Sequence, residues 1–405
     1  MEHGLLTPGS DRAAGVAGDA ALVSAMVRVE VAWLRARARA GSLDPAHADA
    51  VEAALTDLRF DVPALGAATE AAGNPVVPLV AALREAVAAD AGPDAAAAVH
   101  RGLTSQDVLD TSLVLLARDA LTRARGDLAA VSSSLARLAE RHRDDVMVGR
   151  TLTQHAVPVT FGLTAAQWLS GVLDAAESVE GVLAKLPVQA GGAAGTLALG
   201  GELDRDPVAV VRTFADELSL GWPGVPWHTN RSAVTRISDT LVAVCDALGV
   251  LGSDVALLSR PEIGEVREGA VEGRGGSSTM PHKQNPVLSV LLRAAGLQAP
   301  LLGAQVHLAA AQAVDQRPDG AWHSEWPALR RLLELAVTAA SQAAELVAGL
   351  EVRVDVMRTR AEGAGTELLA ERGDGPPDVA SYVGQAGAFV DTVLARHTPG
   401  GPDHG

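Results

Sequence analysis

Aromatic residues are scarce in this chain: one tyrosine, four phenylalanines and six tryptophans in 405 residues, 3% in all. Hydrophobic residues nevertheless make up 48%, so the apolar mass is Ala, Leu and Val. These side chains suit closely packed helices better than a sandwich. Cysteine is nearly absent. Cys245 stands alone, which excludes an intrachain disulfide and fits a reducing compartment. Positive charge is the third shortage. Against 49 acidic side chains there are 33 Lys and Arg, a formal net charge of −16. That balance argues against a nucleic-acid or anionic-membrane surface, and it means that an anionic substrate needs a locally positive pocket. The start, Met1-Glu2-His3-Gly4, lacks a basic region followed by an apolar run, so the expectation is a cytoplasmic protein without a signal peptide.

Helical patterning dominates what is present, and the expected fold class is all-α. A chain of 405 residues exceeds the usual single core, so several domains or an extended architecture are expected. An amphipathic stretch covers residues 21–40, with breaks at Gly41, Pro63 and Gly73-Asn74-Pro75. Thr104 can cap a helix with Asp107 reaching back. Beyond them Leu109, Leu113, Leu116 and Ala120 share one helical face. Long helical patterns follow over residues 127–145, 157–186, 231–259 and 286–350, joined by Gly-rich connectors at 191–201 and 264–276. No sustained period-two alternation is flanked by hairpin turns, so strands are expected to be scarce. Residues 151–173 and 294–314 carry no Asp, Glu, Lys or Arg. Their Gln, His, Gly or Pro would be costly in lipid, and helices buried inside a bundle are the better reading. No nucleic-acid or membrane partner is therefore expected.

The segment most suggestive of chemistry runs from Gly264 to Pro286. Five glycines lead to Ser277 and Ser278, and Pro281 and Pro286 stiffen the exit. Lys283 and Asn285 offer a charge and an amide to a carboxylate. A serine hydroxyl acts as a base only if its alkoxide is stabilised by N–H groups, a helix N-terminus or a lysine. The plain alternative is a Gly-rich surface loop.

The string Gly276-Ser277-Ser278-Thr279-Met280-Pro281-His282-Lys283-Gln284-Asn285-Pro286 resembles the signature of the fumarase/aspartase superfamily, written GSSxMPxKxNP. The resemblance implies that Ser277 transfers the proton at the carbon next to a carboxylate, which Lys283 and Asn285 hold. Two further strings resemble the superfamily's other active-site segments. Thr104-Ser105-Gln106-Asp107 is similar to the first, which implies carboxylate binding by Thr104 and Ser105 at a helix start, a place that favours anions; a plain helix cap would use the same residues. Gly149-Arg150-Thr151-Leu152-Thr153-Gln154-His155-Ala156-Val157-Pro158 is similar to the second, written GRTHxQxAxP, and implies that Arg150, Thr151 and His155 line the pocket. His155 reads equally as a core histidine at a helix start. The resemblance further implies three helical domains (1–102, 103–350 with the long-helix bundle, and 351–405), a homotetramer with shared active sites, a small polycarboxylate substrate and no cofactor or metal.

One departure narrows the chemistry. The position of the superfamily's general-acid histidine is Leu152. A leaving group that is stable as an anion needs no acid there. That is the situation in the 3-carboxy-cis,cis-muconate cycloisomerase branch, which the strings at 73–80, 189–197, 226–229 and 320–326 also resemble. Two alternatives stay open: a β-elimination lyase on another succinate-like polycarboxylate, such as nitrosuccinate, and a non-catalytic member of the scaffold. His228, Asn230 and Arg231 read either as carboxylate binders or as a helix cap with a solvent-facing arginine. Trp322 and Trp326 read as packing. Glu262, Glu265, Glu268 and Glu272 read as solvated charges rather than metal ligands. After Leu350 only 55 residues follow, so the C-terminal domain is expected to be shortened.

Overall fold

The structure is a computed structural model that describes residues 4–56, 58–276, 279–280 and 283–397. Five helices open the chain: α1 (Asp19–Arg39), α2 (Pro45–Thr56), α3 (Val62–Ala72), α4 (Val76–Ala91) and α5 (Pro93–Ala98). The long α6 (Ser105–Arg141) leads into a hairpin of β1 (Val146–Thr151) and β2 (Gln154–Thr160), then α7 (Phe161–Leu183). Short α8 (Ala198–Leu203) and α9 (Pro207–Glu217) precede α10 (Ser232–Leu258). Strand β3 (Val266–Arg267) begins the serine loop, and α11 (Val287–Ala310) and α12 (Gly320–Ala348) complete the bundle. Strand β4 (Glu351–Val352), paired with β3, and helices α13 (Val354–Gly363), α14 (Gly365–Leu368) and α15 (Ala386–His397) close the chain. The all-α expectation holds.

Local chemistry sets these boundaries. The Thr104 N–H donates to Asp107 Oδ2 at 2.9 Å, so α6 starts where the capping spacing placed it. Asp61 accepts from Ala64 N at 3.0 Å, Pro63 fills the first turn of α3, and Gly73 ends it at φ 71°. α10 and α11 touch backbone to backbone at Gly249 and Gly296: a Cβ on either would lie 3.0–3.1 Å from the other's Cα. Cys245 is buried on α10, and burial pushes its thiol up to about 12.

Three expectations change in detail. Residues 127–145 mostly continue α6 rather than forming a separate helix, residues 157–160 belong to β2, and residues 286–350 hold two helices with a turn between. The hairpin escaped the sequence because its connection is Leu152-Thr153, both at positive φ (48° and 72°), without the Gly or Asn that usually marks such a turn. The charge-free stretches resolve into the hairpin tip with the start of α7, and the second part of α11 with its exit turn. By length and composition α10 and α11 could cross a membrane, but they pack on each other and on α12. α11 still exposes Val290, Leu297, Leu301 and Leu308, spaced seven, four and seven apart, with Val250 and Leu257 exposed on α10. An apolar stripe of this kind marks an interaction surface.

Candidate active site

Two groups of site residues lie at opposite ends of the bundle. At the start of α6, Thr104 and Ser105 are half-buried, and Thr104 Oγ1 accepts a hydrogen bond from Arg317 Nη1 at 2.9 Å. Arg317 has no acidic partner among the described residues. Below them Asp107 is fully buried and accepts four donors: Thr104 N, Gly191 N and Gly192 N, each at 2.9 Å, and His228 Nε2 at 2.8 Å. A buried carboxylate survives only when satisfied in this way. It also joins the helix start to the Gly191-Gly192 turn and to the Trp227-His228 string.

Next to it Arg231 is buried between Asp110 (2.7 and 3.0 Å) and Glu325 (2.8 to 3.2 Å), with Trp322 Nε1 donating to Asp110 at 2.9 Å. Burial works against the Arg231 charge, but Asp110 and Glu325 outweigh it and hold the guanidinium protonated beyond its ordinary range. Burial raises the Glu325 carboxyl above its usual range against the pull of Arg231. The solvent-facing reading of Arg231 is thus overturned, and His228 binds Asp107 inside the protein. Trp322 and Trp326 pack edge to face at 4.7 Å, as expected of a packing pair.

At the other end sits the hairpin of the second segment. Arg150 pairs across it with His155, and Thr151 and Leu152 reach its tip, where Leu152 is 95% exposed. Arg150 donates two 2.9 Å bonds to Glu265, which is fully buried. His155 Nδ1 meets Glu367 Oε2 of α14 at 2.7 Å. His155 therefore stands on a strand at the surface, and the reading of a core histidine at a helix start is overturned. The serine loop returns to the same end. Asn285 N and Nδ2 donate to Gly275 O at 2.8 and 3.0 Å, and Lys283 is exposed. Ser277, with Ser278, Pro281 and His282, lies outside the described residues. Glu268 accepts from Leu288 N, Ser289 N and Ser289 Oγ at 3.2, 2.7 and 2.6 Å, so the first turn of α11 already holds an anion. Glu265 and Glu268 are buried, against the expectation of solvated charges, whereas Glu262 and Glu272 are exposed.

A family model described as a lyase matches residues 11–301. The chain belongs to the fumarase/aspartase superfamily. It is 45% identical over 382 residues to nitrosuccinate lyase of Streptomyces davaonensis, an alignment that spans 92% of this chain and 80% of that protein. It is 42% identical over 345 residues to 3-carboxy-cis,cis-muconate cycloisomerase of Pseudomonas aeruginosa, across 85% and 74% of the two chains. The crystal structure of 3-carboxy-cis,cis-muconate lactonizing enzyme from Pseudomonas putida matches with a TM-score of 0.84 and 34% identity, covering 93% of this chain and 94% of that one. This member of the lyase superfamily is accordingly an enzyme. Sequence reasoning missed Arg317, because nothing local marks a residue that meets Thr104 across 213 positions. Only its place just before the Gly320–Trp326 string hinted at it.

Proposed function

We propose that this enzyme eliminates an anionic group from a succinate-like polycarboxylate, Ser277 removing the proton on the carbon beside one carboxylate. The observation that carries the reading is Leu152: the tip of the second segment offers an apolar side chain where a proton donor would serve a poor leaving group. A nitro group leaves as nitrite and a lactone oxygen leaves as carboxylate, both stable without that proton. Lys283 and Asn285 would hold the carboxylate beside the reacting carbon, and Thr104, Ser105 and Arg317 a second one. Arg150, Thr151 and His155 would line the leaving-group side, where Arg150 acts through its fixed hairpin rather than as a free charge.

Nitrosuccinate, giving fumarate and nitrite, stands first, supported by the 45% identity over 382 residues. Interconversion of 3-carboxy-cis,cis-muconate and its lactone stands second, supported by the likeness to the lactonizing enzyme. Nitrite release and fumarate absorbance measured beside loss of 3-carboxymuconate absorbance separate the two. Turnover of neither substrate would sink both.

The enzyme is further proposed to be a cytoplasmic homotetramer with shared active sites. α6 has 37 residues, a length of about 55 Å, and it separates Thr104 and Arg317 from the hairpin that follows its other end. A site that needs all three segments must draw them from different copies. The α10–α11 stripe is the surface that a second copy would cover. Leu301→Glu, a charge placed on that stripe, is therefore expected to give a smaller species by light scattering and at least about a hundredfold less activity. A variant that keeps both its size and its turnover would refute the shared site.

A further inference from the structure

Two buried carboxylates on the approach to the serine loop have no part in the chemistry above. Glu265 and Glu268 flank β3, which pairs with β4 through Val266–Val352 and Arg267–Glu351. Glu265 accepts two hydrogen bonds from Arg150, so the strand is fastened to the hairpin that carries Thr151 and His155. Glu268 fills the first turn of α11 through Leu288 and Ser289, so the strand is also fastened to the helix that follows Lys283 and Asn285. Gly269 lies so close to Gly349 that a Cβ there would meet its carbonyl oxygen at 2.5 Å, which fixes the direction of the entering stem. The two stems then meet again at Gly275, at φ 73°, where Asn285 donates twice to its carbonyl, and at the bridge between Gly276 and Gln284.

We propose that Glu265 and Glu268 are positioning residues: together they set the stems carrying Lys283 and Asn285 against the hairpin of the second segment. The proposal rests on the elimination reading for its kinetic consequence but not for its structural one. The mechanism is charge-assisted hydrogen bonding by two buried side chains, where each carboxylate is satisfied only in one arrangement of the chain. A loop that displaces its binding groups by about 1 Å loses roughly a hundredfold in rate.

The test compares wild type with Glu268→Ala, Glu268→Gln and Ser289→Ala as assembled proteins. Trypsin cleavage after Arg274 or Lys283 is expected to be about tenfold faster in Glu268→Ala, with cleavage elsewhere unchanged. Glu268→Gln keeps one acceptor for Ser289 and is expected to fall between that variant and wild type. In whichever assay shows turnover, kcat should drop about a hundredfold in Glu268→Ala while KM moves far less, because Thr104 and Arg317 remain in place. Loop cleavage at the wild-type rate in all three variants would overturn the proposal. So would a uniform increase at every site, which would assign Glu268 a general structural role. Should Glu268→Ala fail to fold, Ser289→Ala removes only the 2.6 Å contact and must still accelerate cleavage in the loop. If neither substrate is turned over, the elimination reading falls while the cleavage comparison decides this one.

Discussion

Ser277→Ala is expected to lower turnover about a thousandfold with little change in KM, because general-base contributions span roughly 10² to 10⁴ and act on the transition state alone. Lys283, Asn285, Thr104 and Arg317 would still bind the carboxylates, so kcat and kcat/KM should fall together. Arg317→Ala is expected to behave differently, raising KM by removing a charge that binds ground state and transition state alike. The two variant chains, mixed and assayed at substrate concentrations below the raised KM, offer a second measurement. On the proposed shared site, the loop that carries Lys283 and Asn285 and the Arg317 that meets Thr104 lie at opposite ends of the bundle, so Ser277 and Arg317 would be contributed to any one site by different copies. Co-expressed in equal amounts and assembled at random, the two variants should restore about a quarter of the sites. A Ser277→Ala loss smaller than about tenfold would remove serine as the base. A full loss with no recovery on mixing would keep the base and refute the shared site.

Much of this arrangement was legible in the sequence, and the limits have identifiable causes. The capping spacing of Thr104 and Asp107 marked the start of α6 because a cap is a local device that works within four residues. The bundle was legible because Ala, Leu and Val at helical spacing leave no other way to bury the apolar mass. The hairpin was not, since its turn uses Leu152 and Thr153 in a backbone conformation that sequence rules assign to Gly or Asn. Glu265 and Glu268 looked like solvated charges because their partners lie at Arg150 and in the first turn of α11, 115 and 20 to 21 positions away. Arg231 misled in the same way: Asp110 lies 121 positions and Glu325 94 positions from it. Charge can be counted from sequence, but whether water or a distant carboxylate solvates it depends on tertiary structure.

A net charge of −16 means that an anionic substrate needs a local source of positive charge. Helix starts are natural anion sites, yet the starts of α6 and α11 both hold carboxylates of the chain itself, Asp107 and Glu268. Backbone dipoles alone are therefore already committed. On the proposed reading the attraction comes from cations without an acidic partner among the described residues, Arg317 at one end and Lys283 at the other. Brought together from different copies on the proposed shared site, two cations would match a substrate with two carboxylates better than a monoanion.

Arg231→Ala is expected to be the most damaging substitution away from the reacting groups, lowering stability by about 3–5 kcal/mol. The side chain is 1% exposed and sits between two carboxylates, one on α6 and one on α12, while its own residue is the N-cap of α10. Removing it leaves Asp110 and Glu325 facing each other without a counter-charge, at the point where three helices of the bundle meet. Glu325→Gln should cost far less, because Arg231 and Asp110 then remain as a balanced pair with Trp322 still donating to Asp110. The sign of the pH dependence follows from the raised Glu325 carboxyl. A group that holds its proton more tightly in the folded state adds stability below its ordinary range and loses it as pH rises through the raised value. In Arg231→Ala the Glu325 carboxyl loses the pull of Arg231 and should be raised further, so the deficit should shrink as pH falls toward the ordinary carboxylate range. Chemical denaturation of the three proteins across that range measures it. A deficit below about 1 kcal/mol at neutral pH would show that the buried triad holds little of the fold. A deficit that grows on acidification would show that the two acids do not drive it.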